Sequence, residues 1–265
     1  MKLYLFAILA TVLFIFSPLD DCGLSSDSIA SGSRIGHRIF FDDFSGKAES
    51  RWHISPPPSP RIDLYRGDPA PCMDNNGDGS RNSGILSKRK FRLSPGTVIR
   101  CDMNIYPYGK DMWIGGSFGL PLDPASFHQG RWPEWLVGMS YKYIGKLEWT
   151  NGLFQEEGTL VCYLIDEDGN PELNRAAYHN QYLKGWHTFE IMIKASGFVE
   201  FRIDGELIYY SRKRVCAVQD YLPLLLGHRS GSGGKVYHDN VEVLTYGKKD
   251  RGKEKTLKRK EVKDR

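Results

Sequence analysis

The sequence predicts an all-β protein, an antiparallel two-sheet sandwich spanning residues 31–246. Three observations predict it. Aromatics make up 12% of the chain and glycines number 28 of 265 residues, a pairing that suits strands and tight turns. Apolar and polar residues alternate with a period of two between turn dipeptides. No segment sustains a helical period over three turns.

The alternation is clearest late in the chain. In "TFEIMIKA", Phe189, Ile191 and Ile193 share one face, and Glu190 and Lys194 take the other. Ser196-Gly197 then predicts a turn. "FVEFRID" alternates again, with Val199, Phe201 and Ile203 inward. Asp204-Gly205 is a two-residue hairpin signal, and "ELIYYS" follows as the third strand of a meander. Upstream, "GILSKRKFRL", "GTVIRCDMNIY", "EWLVGMSYKYI" and "GTLVCYLID" read as further strands. Asn151-Gly152 predicts a hairpin joining "KLEWT" to "LFQEE". "SPPPSP", residues 55–60, reads as a loop within the domain. "GHRSGSG" reads as a flexible Gly-Ser loop, since no strand-to-helix elbow surrounds its serines.

The termini differ from the body. Lys2 precedes an apolar run, "LYLFAILATVLFIF", of about 14 residues, too short for a comfortable membrane span and right for a secretory signal. Residues 1–30 are read as signal and linker, with cleavage after Ser25 or Ala30. Lipidation at Cys22 is disfavoured, because Asp21 precedes it. The mature chain is expected to be secreted or held in the cell envelope, without a transmembrane span. Residues 247–265 carry 10 Lys/Arg against 4 Asp/Glu. The net charge of +4 therefore sits in this tail, and the remainder is mildly acidic. No basic body argues for nucleic-acid binding. The tail reads as a solvated end able to contact an anionic surface.

Export would leave Cys72, Cys101, Cys162 and Cys216. An even four permits two disulfides in an oxidising compartment. Separate buried thiols are the alternative for Cys101 and Cys162, and spacing does not pair the four.

Two stretches carry a resemblance: "GWHTFEIMIKASGFVEFRIDGELIYYS" (185–211) and "YLPLLLGHRSGSGGKVYHDNVEVL" (221–244). They resemble the C-terminal half of the concanavalin A-like lectin/glucanase jelly rolls, which include laminin-G-like domains. "FFDDFSGKAESRWHI" (40–54) resembles the opening strand of that group, and residues 84–103 the strand pair after it. The resemblance implies a jelly roll over most of residues 38–245. The group holds lectins, binding modules, hydrolases, lyases and adhesive domains, so it does not settle an activity.

Glucanases of this fold use E-x-D-x-x-E or E-x-D-x-E on a strand. Alternate strand residues share a face, so such a motif lines one cleft with two carboxylates. The motif is absent here. Glu148 stands alone, Glu156 and Glu157 point to opposite faces if in a strand, and Asp166 and Asp168 run into a turn. Arg175, Tyr178, His179 and Asn180 match no defensible lyase arrangement, and His238-Asp239 reads as part of the final strand.

Sugars pack their C–H faces on aromatic rings while polar groups fix their hydroxyls. "FHQGRWPEWLVGMSYKYIGKLEW" (127–149) is the richest aromatic stretch. Its Trp135, Val137, Met139, Tyr141 and Tyr143 share one strand face and read as core. The candidate carbohydrate-binding residues are Trp132, with Arg131, His128 and Glu134 around it, and Trp149 with Glu148. "MWIGGSFG" (112–119) would let a neighbouring strand or a ligand approach closely.

"CMDNNGDGS" supplies Asp74, Asn76 and Asp78 at the first three ligand positions of a calcium loop, but position 12 is Ile85. The segment reads as a polar turn, or as a structural calcium site if Asp63, Asp68 or another distant carboxylate closes it; no other cofactor is suggested. The leading functional reading is a secreted, non-catalytic jelly roll that recognises a polysaccharide through an aromatic groove. The alternatives are a hydrolase or lyase with a diverged catalytic set, and a structural or adhesive surface protein.

Overall fold

A computed structural model describes residues 36–54, 61–65, 68–74, 82–107, 113–128, 131, 133–144, 157–177, 183–230 and 234–246. The signal region, the basic tail and the Asn151-Gly152 hairpin lie outside them.

The chain runs β1 (His37–Asp42), α1 (Ala48–Arg51), β2 (Trp52–Ile54), β3 (Arg61–Tyr65), β4 (Asp68–Asp74), β5 (Asn82–Phe91), β6 (Thr97–Pro107) and β7 (Trp113–Pro121). Helix α2 (Pro124–His128) precedes β8 (Trp135–Ile144). Then come β9 (Glu157–Ile165), β10 (Pro171–Ala177), β11 (His187–Ile193), β12 (Val199–Ile203), β13 (Glu206–Tyr210), β14 (Leu222–Ser230) and β15 (Gly234–Thr245). One sheet has the order β13-β12-β11-β6-β15-β4-β3, with β1 also paired to β15. The other has the order β10-β9-β8-β7-β14-β5-β2. All these pairings are antiparallel. The sequence-adjacent strands β5 and β6 lie in different sheets, as do β14 and β15, so the fold is a jelly-roll sandwich and not a pair of meanders.

The alternation explains the layers. Ile99, Cys101, Met103 and Ile105 of β6 face Phe118, Met139, Tyr141 and Cys162 of the other sheet in one continuous core. Fully burying each Val, Ile or Phe contributes about 1.5–3 kcal/mol, which ties strand register to core formation. The predicted meander is β11-β12-β13. Its hairpin turn has Asp204 at φ 51° and Gly205 at φ 82°, the two positive angles of a type I′ turn. Asp204 also accepts a hydrogen bond from the Thr188 backbone N–H, which fixes the turn to β11.

On the eight-stranded sheet, the face away from the core carries a row of alternating charges. Arg100 bridges Glu190 and Glu242, and Arg38 pairs with Glu242. Lys194 and Arg202 both pair with Glu200.

Two expectations need correction. Trp135 does not join the core stripe. The register slips between Leu120/Pro121 and Val137/Trp135, so Leu136 is an extra residue. That bulge turns Leu136 into the core and Trp135 onto the opposite face. "GHRSGSG" is not a loop throughout, because β14 runs through Ser230. Of the two readings left open for the cysteines, separate thiols hold for Cys101, Cys162 and Cys216. Each is a free thiol, the first two buried in separate sheets.

Candidate functional site: the outer face of the seven-stranded sheet

On β8, Val137, Met139, Tyr141 and Tyr143 point into the core, so Gly138, Ser140 and Lys142 belong to the outer face. The register extends that face across six strands in three rows. The first row is Leu86, Leu225, Gly119, Gly138, Tyr163 and Leu173. The second is Gly84, Gly227, Ser117, Ser140, Val161 and Arg175. The third is Asn82, Arg229, Gly115, Lys142, Thr159 and Ala177.

The first row is apolar and filled. A Cβ on Gly138 would lie 2.6 Å from the Trp135 ring, and one on Gly119 would lie 2.3 Å from the Val137 carbonyl oxygen. The two glycines therefore make the floor on which the indole lies. Trp135 then stacks on Tyr163 at 6.1 Å and 29°. The second row is a strip of four small residues on four adjacent strands. Ser117 on this strip is wholly buried, and its Oγ has no hydrogen-bond partner. Exposure returns at β10, where Leu173 is 53% exposed.

Beneath this face the core is polar at one point. His238 of β15 donates from Nε2 to the Ser117 carbonyl, 3.1 Å away. Burial pushes the His238 pKa down to about 3, against the pull of that carbonyl and with help from neighbouring His228. The imidazole is neutral and ties the floor strand β7 to the opposite sheet.

None of the eighteen positions in the three rows is Asp or Glu. Glu157 opens β9, where its backbone pairs with Ile144. The Asp166/Asp168 pair is the tip of the β9–β10 turn. Asp166 accepts from the Asp168 and Asn170 backbone N–H groups, and both carboxylates hold Lys213.

The sequence-predicted sugar-binding residues are divided by β8. His128 ends α2, and Arg131 and Glu134 lie exposed in the same β7–β8 connection. Backbone hydrogen bonds from Arg131 to Ser126 and from Leu122 to Glu134 shape that connection. Trp132 within it, and Glu148 and Trp149 beyond the far end of β8, lie outside the described residues. At about 3.3 Å per residue, the ten residues of β8 put its two ends about 30 Å apart.

For the calcium reading, Asn76 and Asp78 lie outside the described residues, and Asp74 ends β4. The backbone positions of the two named carboxylates are set apart from Asp74 along the strands. Asp68 is six residues away on the same strand, about 20 Å. Asp63 pairs with Ala70, four residues short of Asp74, or about 13 Å. Calcium ligands lie about 2.3–2.6 Å from the ion. Among the described residues no group of three or more His, Cys, Asp or Glu is placed to hold a metal.

The sequence did not single out Ser117 or the outward position of Trp135. The Gly-rich run of β7 was the available signal for the first, and the bulge that creates the second has no sequence signature.

The fold is that of the concanavalin A-like lectin and glucanase jelly rolls. Three solved structures show the likeness. The LamA catalytic domain of Zobellia galactanivorans has a TM-score of 0.51 at 12% identity, over 78% of this chain and 97% of that one. The endo-β-1,3-glucanase of Pyrococcus furiosus has 0.51 at 12%, over 80% and 95%. A structure from work on endo-acting O-glycanases of human gut microbiota, which initiate mucin breakdown, has 0.53 at 12%, over 80% and 100%. No family model and no curated protein matches the chain.

Proposed function

We propose that this protein is a carbohydrate-binding jelly roll of the cell exterior that recognises a polysaccharide without cleaving it. One observation carries the reading: the fold is shared with glucanases, yet the three central rows of the seven-stranded sheet's outer face hold no carboxylate. A retaining glycosidase needs two, about 5–5.5 Å apart. Half-buried Tyr163, stacked on the buried Trp135, supplies a ring for sugar packing instead, and the exposed Arg131 and Glu134 supply hydroxyl-binding groups. Arg131 and Glu134, in the β7–β8 connection, would flank one end of that face, and Trp132, His128, Glu148 and Trp149 stay candidates from the sequence. The export-type N-terminus supports an extracytoplasmic location, and among the described residues no helix is long and apolar enough to cross a membrane.

The second reading, a glycoside hydrolase, is favoured by the glucanase structures above and by Glu157 at the start of β9. A polysaccharide screen scored for both retention and reducing-end release separates the two. The binding reading expects retention without release. Release that is lost in Glu157→Gln would establish the hydrolase. Neither retention nor release would leave an adhesive role.

A further inference from the structure

A second site lies on the flank of the sandwich, where β1 of one sheet approaches α1 and β5 of the other. It begins with a bulge. Leu225 pairs with Leu86 and Pro223 with Lys90, so Ser87, Lys88 and Arg89 together oppose Leu224. Buried Ser87 locks the bulge by accepting from the Leu224 N–H at 2.8 Å and donating to the Arg89 carbonyl at 2.5 Å. Such a bulge breaks the alternation and re-aims side chains. Here Lys88, Arg89 and Lys90 are all exposed, although neighbours in a regular strand face opposite ways.

The bulge forms one wall of a groove of about 640 Å³ that also takes in Arg38, Phe41, Ser50 and Arg51. Four cations line it. Arg38 lies 4.7 Å over the Phe41 ring, and Arg51 donates to the Phe41 carbonyl at 2.7 Å. The acids beneath are already engaged. Asp42 accepts from the Trp52 indole N–H and the Phe44 N–H and lies 3.5 Å from the Arg51 guanidinium, and Glu242 is shared by Arg38 and Arg100. Lys88 spends a hydrogen bond on the Glu49 carbonyl, and among the described residues no carboxylate pairs with Lys88 or Arg89. A second hollow of about 560 Å³, lined by Glu49, Trp52, His53 and Ile54, adjoins through Lys88. The groove thus presents cations on a partly aromatic floor over two buried, paired carboxylates, Asp42 and Glu242, while the exposed Glu49 belongs to the adjoining hollow.

We propose that this groove binds the sulfate or carboxylate groups of an acidic polysaccharide. The anionic chemistry follows from the groove itself, and the choice of a glycan as its carrier rests on the function proposed above. Cations held by backbone carbonyls and a ring are pre-positioned, so charge-assisted bonds to an oxyanion form with little further ordering.

The test uses the full chain on three immobilised polymers: chondroitin sulfate, polygalacturonate and neutral laminarin. The variants are Lys88→Gln/Arg89→Gln, Arg89→Gln alone, and the tail variant Lys258→Gln/Arg259→Gln/Lys260→Gln. The expected result is retention on an acidic polymer that weakens as salt rises. The double variant should lower that affinity about tenfold, and Arg89→Gln about threefold. Both should keep the wild-type melting temperature. Retention on chondroitin sulfate alone would name a sulfate ester as the group bound, and on polygalacturonate alone a carboxylate. Undiminished binding by the double variant, or loss only in the tail variant, would overturn the site. Equal, variant-sensitive binding to DNA or to anionic phospholipid vesicles would overturn the glycan as ligand. Laminarin retention reports on the outer-face reading separately, so either site can fail alone.

Discussion

The buried His238 makes acid stability a quantitative test of how the two sheets are joined. Its Nε2–H bonds to the Ser117 carbonyl, and its Nδ1 has no partner. A proton added at Nδ1 would put an uncompensated charge in the core. The pKa is about 3 in the folded protein against 6.5 for an ordinary histidine. The unfolded chain therefore binds the proton first. Stability from this group is complete above pH 6.5 and falls as pH drops from there toward 3. At about 1.4 kcal/mol per pH unit, the loss approaches about 5 kcal/mol by pH 3 and is about 3 kcal/mol at pH 4.5. His238→Gln keeps a donor for the Ser117 carbonyl and cannot titrate. Urea unfolding of both proteins at pH 7 and pH 4.5 isolates the effect. The depressed carboxylates Asp43, Asp166 and Glu200 lose stability only as pH falls through their lowered pKa values, and they do so in both proteins. The wild type should lose about 3 kcal/mol more than the variant between the two pH values. Parallel losses would refute the argument, because His238 would then protonate in the fold without penalty.

Gly119→Ala should destabilise the fold by at least about 3 kcal/mol, since its Cβ would meet the Val137 carbonyl oxygen at 2.3 Å; a thermal melt within a few degrees of wild type would contradict the packing. Arg100→Met removes the shared partner of Glu190 and Glu242, whose side chains are only 12% and 8% exposed. It should cost about 2 kcal/mol at low ionic strength and less in high salt, measured by urea unfolding at two salt concentrations. Burial raises the thiol pKa of Cys101 and Cys162 well above the ordinary value, whereas Cys216 is only half-buried. Alkylation of the folded protein followed by peptide mapping should mark Cys216 and spare the other two.

The strands were legible because each carries its own pattern. Phe189, Ile191 and Ile193, then Val199, Phe201 and Ile203, alternate at the strand period, and Asp204-Gly205 marks the turn between β12 and β13. Residues 166–170 were legible as a tip for a similar reason: a short Asp carboxylate satisfies nearby backbone N–H groups. Trp135 was misassigned because alternation assumes an unbroken ladder, and the extra residue Leu136 breaks it. The Lys88–Arg89 groove was hidden for the same reason, since the bulge depends on Leu224, 136 residues later, being the single residue opposite.

The sequence by itself determined the class of architecture, the strands, their inward faces and the lack of a glucanase carboxylate motif, because these depend on neighbours one or two residues apart. Tertiary structure decided which strands became partners, where bulges re-aimed Trp135, Lys88 and Arg89, and that His238 would reach across the core to Ser117. The Lys88–Arg89 bulge and the His238–Ser117 bond depend on residues more than a hundred positions apart, and even the Trp135 bulge, between strands adjacent in sequence, needs a register set by the packing of the whole sandwich. A periodic local pattern carries no record of that register.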